Sequence, residues 1–120
     1  MDIKTFSLTP DEAKKIDESK FINNSSLVVV ATVTGTQFSQ KLLFGGDMEA
    51  AGWDALLAKN NGFRQAVQGT KFFIPSHHGH ASGFSQSLFD AMGRKPFINI
   101  VSIHNNDEHI SKRTIPKLAL

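Results

Sequence analysis

The sequence predicts an α/β domain with about four strands in a mixed sheet and two to three helices. Apolar runs of strand length alternate with amphipathic segments of helix length, and Gly, Asn and Pro separate them. The first two apolar runs are joined by a short connection, which favours an antiparallel hairpin. The chain has 120 residues and shows no repeat or linker, so it is one small domain at most.

The N-terminal part is predicted to contain one short helix. Thr9, Pro10 and Glu12 have the spacing of a capping box, with Thr as N-cap, Pro at the first helical position and Glu at the third. The helix is expected to reach about Glu18. The polar run at 23–26 then breaks the chain before the first apolar run.

The central part alternates strands and helices. The β-branched run 27–33 is apolar on both faces and predicts a strand, and a turn at Gly35 leads to a second strand over 40–44. The segment 48–59 is the best predicted helix, because Trp53, Leu56 and Leu57 form an apolar stripe.

The remaining elements follow in the same alternation. A short helical turn is predicted over 63–67 and a strand over 71–75. Ser82 is the expected cap of a helix that stops at Gly93, and 97–101 is the last strand. The chain beyond is polar and is expected to be loosely held.

Composition excludes several classes of protein. There are 13 basic and 11 acidic side chains, a net charge of +2, so the overall balance gives no signature of a nucleic-acid-binding protein. Cys is absent, which excludes disulfides and thiolate metal sites. No apolar run approaches 18 residues, so no membrane span is expected. No signal-peptide pattern is visible, and a cytoplasmic location is expected if Met1 is the natural start.

Asp47 is the first candidate for chemistry. It follows Gly45 and Gly46 at the end of a predicted strand, and glycines let a backbone approach a ligand closely. One interpretation is a metal ligand. The other is the N-cap of the helix beginning near Met48, where Asp is favoured. Both can hold at once, with one carboxylate oxygen in each role.

Three histidines follow the strand at 71–75. In an extended segment His77 and His78 point to opposite sides, so at most one binds a given metal unless Gly79 supplies a sharp turn. They are either metal ligands or part of a polar surface loop, and one can also orient the other ligand or the substrate. His80 is expected to be a loop residue.

Two later histidines are also candidates. His104 and His109 follow the last strand. One of them either completes the metal site or contacts a substrate phosphate, and the alternative for each is a solvated tail. Without Cys, a metal here depends on imidazole and carboxylate, which suit Zn²⁺ or Mn²⁺.

Together these segments resemble the C-terminal half of a metallo-β-lactamase-fold hydrolase domain, of the ComEC-like branch of DNA-uptake competence proteins. The order and spacing fit over roughly 20–110, and the combination of Gly-Asp with His-His-Gly is the more specific part. The family's principal ligand motif, His-x-His-x-Asp-His, does not occur in this sequence. The matching segments are 23–30, 41–47, 72–79 and 95–102.

The resemblance implies an αββα sandwich with one or two metal ions, Zn²⁺ or alternatively Mn²⁺, at the sheet edge. Asp47 matches the family's metal-bridging Asp. His77 matches the first His of the His-His-Gly motif, with His78 beside it in the site. His109 lies where the branch often has Gly-His-Pro, although its neighbours depart from that pattern.

The activity implied by the resemblance is hydrolysis of a nucleic-acid phosphodiester by a metal-activated water. Since half of the expected ligands are absent, whether this chain is an enzyme by itself stays open. The alternatives are an inactive remnant that acts as a binding or regulatory module, and an unrelated α/β interaction domain. The chain is interpreted as a single partial domain over 1–120, with an N-terminal helical segment at 1–19 and a polar tail at 104–120.

The implied partners are a complementary N-terminal half or further copies of the chain, with nucleic acid as a substrate. The family's sandwich buries each sheet against the other half. Because 27–33 is apolar on both faces, an isolated half leaves apolar surface exposed. A dimer, a partner chain or poor solubility is therefore expected.

Overall fold

A computed structural model describes residues 1–101, which form a five-stranded mixed sheet and five α-helices. The general α/β class predicted from the sequence is confirmed. None of the helices within 1–101 has the length and apolar character needed to cross a membrane. The strands are β1 (Asp2–Phe6), β2 (Val28–Thr34), β3 (Ser39–Phe44), β4 (Phe72–Ile74) and β5 (Ile98–Asn99); the helices are α1 (Pro10–Ile16), α2 (Phe21–Asn24), α3 (Ala50–Lys59), α4 (Asn61–Ala66) and α5 (Gln86–Met92).

The strands lie in sequence order across the sheet. β1, β2 and β3 pair antiparallel, so the predicted hairpin is confirmed, whereas β3, β4 and β5 run parallel. The carboxyl ends of β3, β4 and β5 therefore meet at one edge of the sheet. We refer to it as the carboxyl edge.

The prediction of about four strands missed β1. The segment 1–19 was expected to be helical, but Asp2–Phe6 forms an edge strand, and only the residues after it are helical. Four of its five residues are exposed, so its sequence carries little of the pattern of a buried strand. Its pairing with β2 is a tertiary contact, with Ile3 opposite Ala31.

Helix ends follow local hydrogen bonds. Thr9 Oγ1 accepts from the Glu12 backbone N–H at 3.2 Å, as the capping box predicts, although α1 ends at Ile16. The predicted cap at Ser82 is wrong. Ser85 Oγ accepts from the Leu88 N–H at 3.1 Å and begins α5, while Ser82 lies in the preceding 3₁₀ turn. Gly93 ends α5 with φ of 81°, as predicted.

One face of the sheet forms the core together with the helices. Val30, Leu43 and Phe73 occupy neighbouring positions on this face and are 3% exposed or less. Trp53 of α3 is fully buried, and its ring stacks on Phe63 of α4 at a centroid distance of 6.0 Å. Leu56 and Leu57 are buried as well, so the helical stripe that was predicted to face the core does so.

The opposite face of the sheet is apolar and is not part of this core. The register aligns one row of side chains across all five strands. None of the row's members packs against the core cluster, and its outer members Ile3 and Ile98 are 58% and 42% exposed. We call this surface the open face. Its central row is Ile3, Ala31, Leu42, Phe72 and Ile98, and its flanking apolar residues are Val29, Val33, Phe44 and Ile74.

Candidate functional site

Two turns meet at the carboxyl edge. The turn after β3 contains Gly45, Gly46 and Asp47, and the turn after β4 begins at Ser76. The Gly45 N–H donates to the Ile74 carbonyl at 3.2 Å, and the His77 N–H donates to the Gly46 carbonyl at 3.0 Å. The structure thus brings the Gly-Gly-Asp and His-His-Gly segments side by side.

Gly45 allows this close approach. A Cβ at this position would lie 2.9 Å from both Ser76 Cβ and Trp53 Cζ2, closer than ordinary packing permits. Gly46 has φ of 59°, a conformation that glycine adopts without steric cost. The Asp47 N–H donates to Ser26 Oγ at 3.0 Å, which ties the turn to the segment preceding β2.

The His-His-Gly segment is not extended. His77, His78 and Gly79 have φ values of 52°, 52° and 75°, so three successive residues lie in the left-handed region. The extended segment in which His77 and His78 would point to opposite sides is therefore not formed, and the sharp turn that was expected at Gly79 begins at His77 itself. The His80 N–H closes this turn on the His77 carbonyl at 2.9 Å.

The left-handed conformation is uncommon for a residue with a side chain. Backbone strain of this kind persists where surrounding contacts fix it, and it concentrates at functional sites. Here the His77 N–H is fixed by the Gly46 carbonyl. The strained pair His77 and His78 lies in the turn after β4, which carries the predicted site residues.

Glu49 is a buried acid beside His77. It is 6% exposed, and its Oε1 lies 3.4 Å from His77 Nδ1. Asn23 Nδ2 donates to the same Oε1 at 3.0 Å. His77 Nδ1 is itself buried and makes no hydrogen bond, so the contact with Glu49 is a close approach rather than a formed bond.

The charge of Glu49 is stabilised despite its burial. Burial raises the pKa of its carboxyl, because water no longer solvates the anion. Hydrogen bonds from Asn23 and Ser82 oppose this effect, and the net result is a pKa below its ordinary value. The site therefore holds a carboxylate anion against the imidazole of His77.

His80 and Ser82 extend the polar cluster. The His80 ring centroid lies 5.3 Å from that of His77, and its Nδ1 lies 2.9 Å from Ser82 Oγ. The Ser82 backbone N–H also donates to His80 Nδ1 at 3.1 Å. His80 was expected to be a loop residue, and it lies in a loop between two 3₁₀ turns, but it contacts the candidate site.

Ser76 anchors the histidine turn to the core. Its hydroxyl accepts from Trp53 Nε1 at 3.1 Å and donates to the Gly83 carbonyl at 3.2 Å. Ser76 is 1% exposed, so both bonds are shielded from water. The position of the turn is consequently coupled to the packing of α3.

Asp47 and His78 are both exposed. The expectation that Asp47 caps the following helix is wrong: α3 begins at Ala50, and Glu49 occupies the cap position without a capping side-chain bond. The Glu49 N–H is instead satisfied by Asn24 Oδ1 at 3.1 Å.

The described residues supply the right kinds of donor for zinc but not a full set. Imidazole and carboxylate are ordinary zinc ligands, and a catalytic zinc takes three protein ligands. Within 1–101 no group of three or more His, Asp or Glu side chains is placed to hold a metal. His104 and His109 lie outside the described residues.

Glu49 is the residue that sequence reasoning missed. It follows Asp47 by two positions, next to the fully buried Met48, but nothing in the local pattern indicates that a glutamate there is buried. The available signal was the Asn23–Asn24 pair, interpreted as a chain break. Both amides contact Glu49, one through its carboxylate and one through its backbone.

Comparisons with protein-family models, curated proteins and solved structures found no match to this chain.

Proposed function

We propose that this chain is the C-terminal part of a metal-dependent hydrolase of the metallo-β-lactamase type, acting on nucleic-acid phosphodiesters and incomplete without further ligands. The observation that carries the proposal is the hydrogen bond from the His77 N–H to the Gly46 carbonyl. It holds the turns bearing Asp47 and His77 together at the edge where parallel strands end. Sites assembled from turns at the carboxyl ends of strands are common in α/β folds.

Each residue has a distinct part in this proposal. Asp47, with its exposed carboxylate, and His77 would bind the metal, and Glu49 would orient the His77 ring. His78 is exposed beside them and is available either to the metal or to the substrate. A bound zinc or manganese ion would supply a water acidified enough to attack a phosphodiester near neutral pH.

The missing ligands must come from outside residues 1–101. The proposal assigns them to a complementary half that carries the His-x-His-x-Asp-His motif, with a second copy of the chain as the alternative. His109 is a further candidate ligand of this chain. The open face supports such a partner, because sheets in sandwiches pack face to face through apolar side chains.

The alternative function is an inactive module that binds a partner without catalysis. The lack of a three-ligand group within 1–101 favours it. The two functions differ in whether a metal ion produces turnover.

Hydrolysis of bis(p-nitrophenyl) phosphate in the presence of Zn²⁺ or Mn²⁺ tests the choice. We expect metal-dependent turnover when a complementary half is present. Asp47→Asn and His77→Ala should each abolish it. Asp11→Asn, at an exposed position of α1, is the matched control and should leave turnover unchanged. Metal binding without turnover in the assembled protein would favour the inactive module.

A further inference from the structure

A cleft lies at the end of the sheet opposite the candidate site. Its volume is about 490 Å³, within the range of roughly 300–1,000 Å³ typical of small-molecule sites. Gln40, Lys71 and Phe97 line it. They lie near the amino ends of β3, β4 and β5, respectively, so the strands separate this cleft from the carboxyl edge.

The cleft concentrates positive charge. Lys71, Arg94 and Lys95 line it, and no acidic residue within 1–101 does. The whole chain has an excess of only two positive charges. Three cations in one cleft, with no acidic residue of 1–101 lining it, are therefore a local feature that the overall composition conceals. Such a cleft attracts an anion.

The cleft also has an exposed aromatic wall. Phe97 is 87% exposed, and Phe72 and Ile98 line the same cleft. The Phe97 N–H donates to the Lys71 carbonyl at 2.8 Å, and the Ile98 N–H donates to the same carbonyl at 3.0 Å. The backbone under the ring is thereby anchored. Pro96, which is buried, restricts it further.

We propose that this cleft binds a nucleotide unit, with its phosphate on Arg94, Lys95 and Lys71 and its base stacked on Phe97. Proteins that bind single strands combine a basic groove with aromatic rings on which bases stack. The choice of nucleotide over other anions rests on the proposed function. The nucleotide unit belongs either to a single strand or to a free mononucleotide.

The test is a titration of the purified chain with fluorescein-labelled oligothymidylate, followed by fluorescence anisotropy in EDTA. We expect Phe97→Ala to weaken binding by about five- to one-hundred-fold, the usual effect of losing one stacked base. Three phosphate contacts predict a slope of about −2 for log K against log salt concentration. Arg94→Ala should make this slope shallower.

Matched controls exist in the same chain. Phe38 is 54% exposed and Arg64 is exposed, and neither lines the cleft, so Phe38→Ala and Arg64→Ala should bind the oligonucleotide normally. Displacement of the labelled oligonucleotide by thymidine monophosphate, at concentrations similar to those of unlabelled oligonucleotide, would identify a free nucleotide as the ligand. Displacement that needs a much higher monophosphate concentration would identify the single strand. Either result supports a nucleotide site.

Three results would overturn the inference: no binding of strand or mononucleotide, unchanged binding by Phe97→Ala, or equal displacement by polyglutamate. The last would indicate an acidic peptide. Because EDTA removes metal ions, the binding measurement does not depend on hydrolysis. Binding in EDTA, together with no metal-dependent hydrolysis by the assembled protein in a separate assay, would contradict the proposed function alone. Hydrolysis without an effect of Phe97→Ala on binding would contradict this inference alone.

Discussion

His77 Nδ1 lies 3.4 Å from Glu49 Oε1, and Glu49 is among the few buried polar or charged residues within the described chain. The two groups approach closely without a formed hydrogen bond. A carboxylate that accepts from one imidazole nitrogen orients the ring and leaves the other nitrogen for a ligand, and Glu49 is placed for this role. The pair joins the segment between β3 and α3 to the turn after β4. It is the structural centre of the candidate site.

The first prediction concerns acid stability. The pKa of Glu49 lies below its ordinary value of 4.5, so the unfolded state takes up this proton first as pH falls. The stability that Glu49 contributes is therefore complete above about pH 4.5 and is lost as pH falls through the folded-state pKa. Glu49→Gln should make the melting temperature less dependent on pH below 4.5.

Thermal unfolding followed by circular dichroism across pH measures this effect. Glu18→Gln, on an exposed 3₁₀ turn, is the control and should retain the wild-type dependence. If the melting temperature of Glu49→Gln depended on pH as that of the wild type does through this range, a lowered pKa of Glu49 would be contradicted.

The second prediction concerns the strained histidines. Glycine adopts positive φ freely, so His78→Gly should raise the free energy of unfolding by about 0.5–1 kcal/mol. His77→Gly should raise the free energy of unfolding by less, since this variant also loses the contact with Glu49. Urea unfolding measured by Trp53 fluorescence compares the two variants. Destabilisation by His78→Gly would show that the exposed ring contributes to folding.

The third prediction concerns the anchor of the histidine turn. Ser76→Ala removes the acceptor for Trp53 Nε1 and the donor to the Gly83 carbonyl, both in a buried position. Leaving such groups unpaired costs about 1–3 kcal/mol, and the free energy of unfolding should fall by that amount. Ser87→Ala on the exposed side of α5 should change it little. Equal stabilities of the two variants would refute the coupling between the turn and α3.

The fourth prediction concerns the open face. Val33 is 40% exposed and Phe44 is 38% exposed on this face, whereas Val30 is 2% exposed on the core face. The wild-type chain should self-associate as concentration rises, and the double substitution Val33→Lys with Phe44→Lys should suppress this without unfolding the chain. Val30→Lys should unfold it. Light scattering showing a monodisperse wild-type monomer at every concentration would count against an interface on the open face.

Sequence patterns predicted the elements whose apolar residues are set by their own periodicity. The strand at 27–33 and the helical stripe containing Trp53 are of this kind. The helix stop at Gly93 was predictable for a different local reason, the left-handed conformation that glycine adopts at a helix end. β1 escaped prediction because an exposed edge strand depends on its pairing with β2.

The site was predictable only in part, for a similar reason. The proximity of the turns that carry Asp47 and His77 was predictable because turn residues after apolar runs mark strand ends. The burial of Glu49 depends on amides 25 and 26 residues away, and the left-handed conformation of His77 depends on the Gly46 carbonyl. Neither contact leaves a local trace in the sequence.

Calorimetric titration of the purified chain with Zn²⁺ and Mn²⁺ tests whether the carboxyl edge holds a metal site. We expect binding that Asp47→Ala and His77→Ala each abolish and that Asp11→Ala leaves unchanged. We also expect a large gain in affinity when a complementary half is added. Binding that persists in both site variants, or no binding even in the assembled protein, would contradict a metal site at the carboxyl edge.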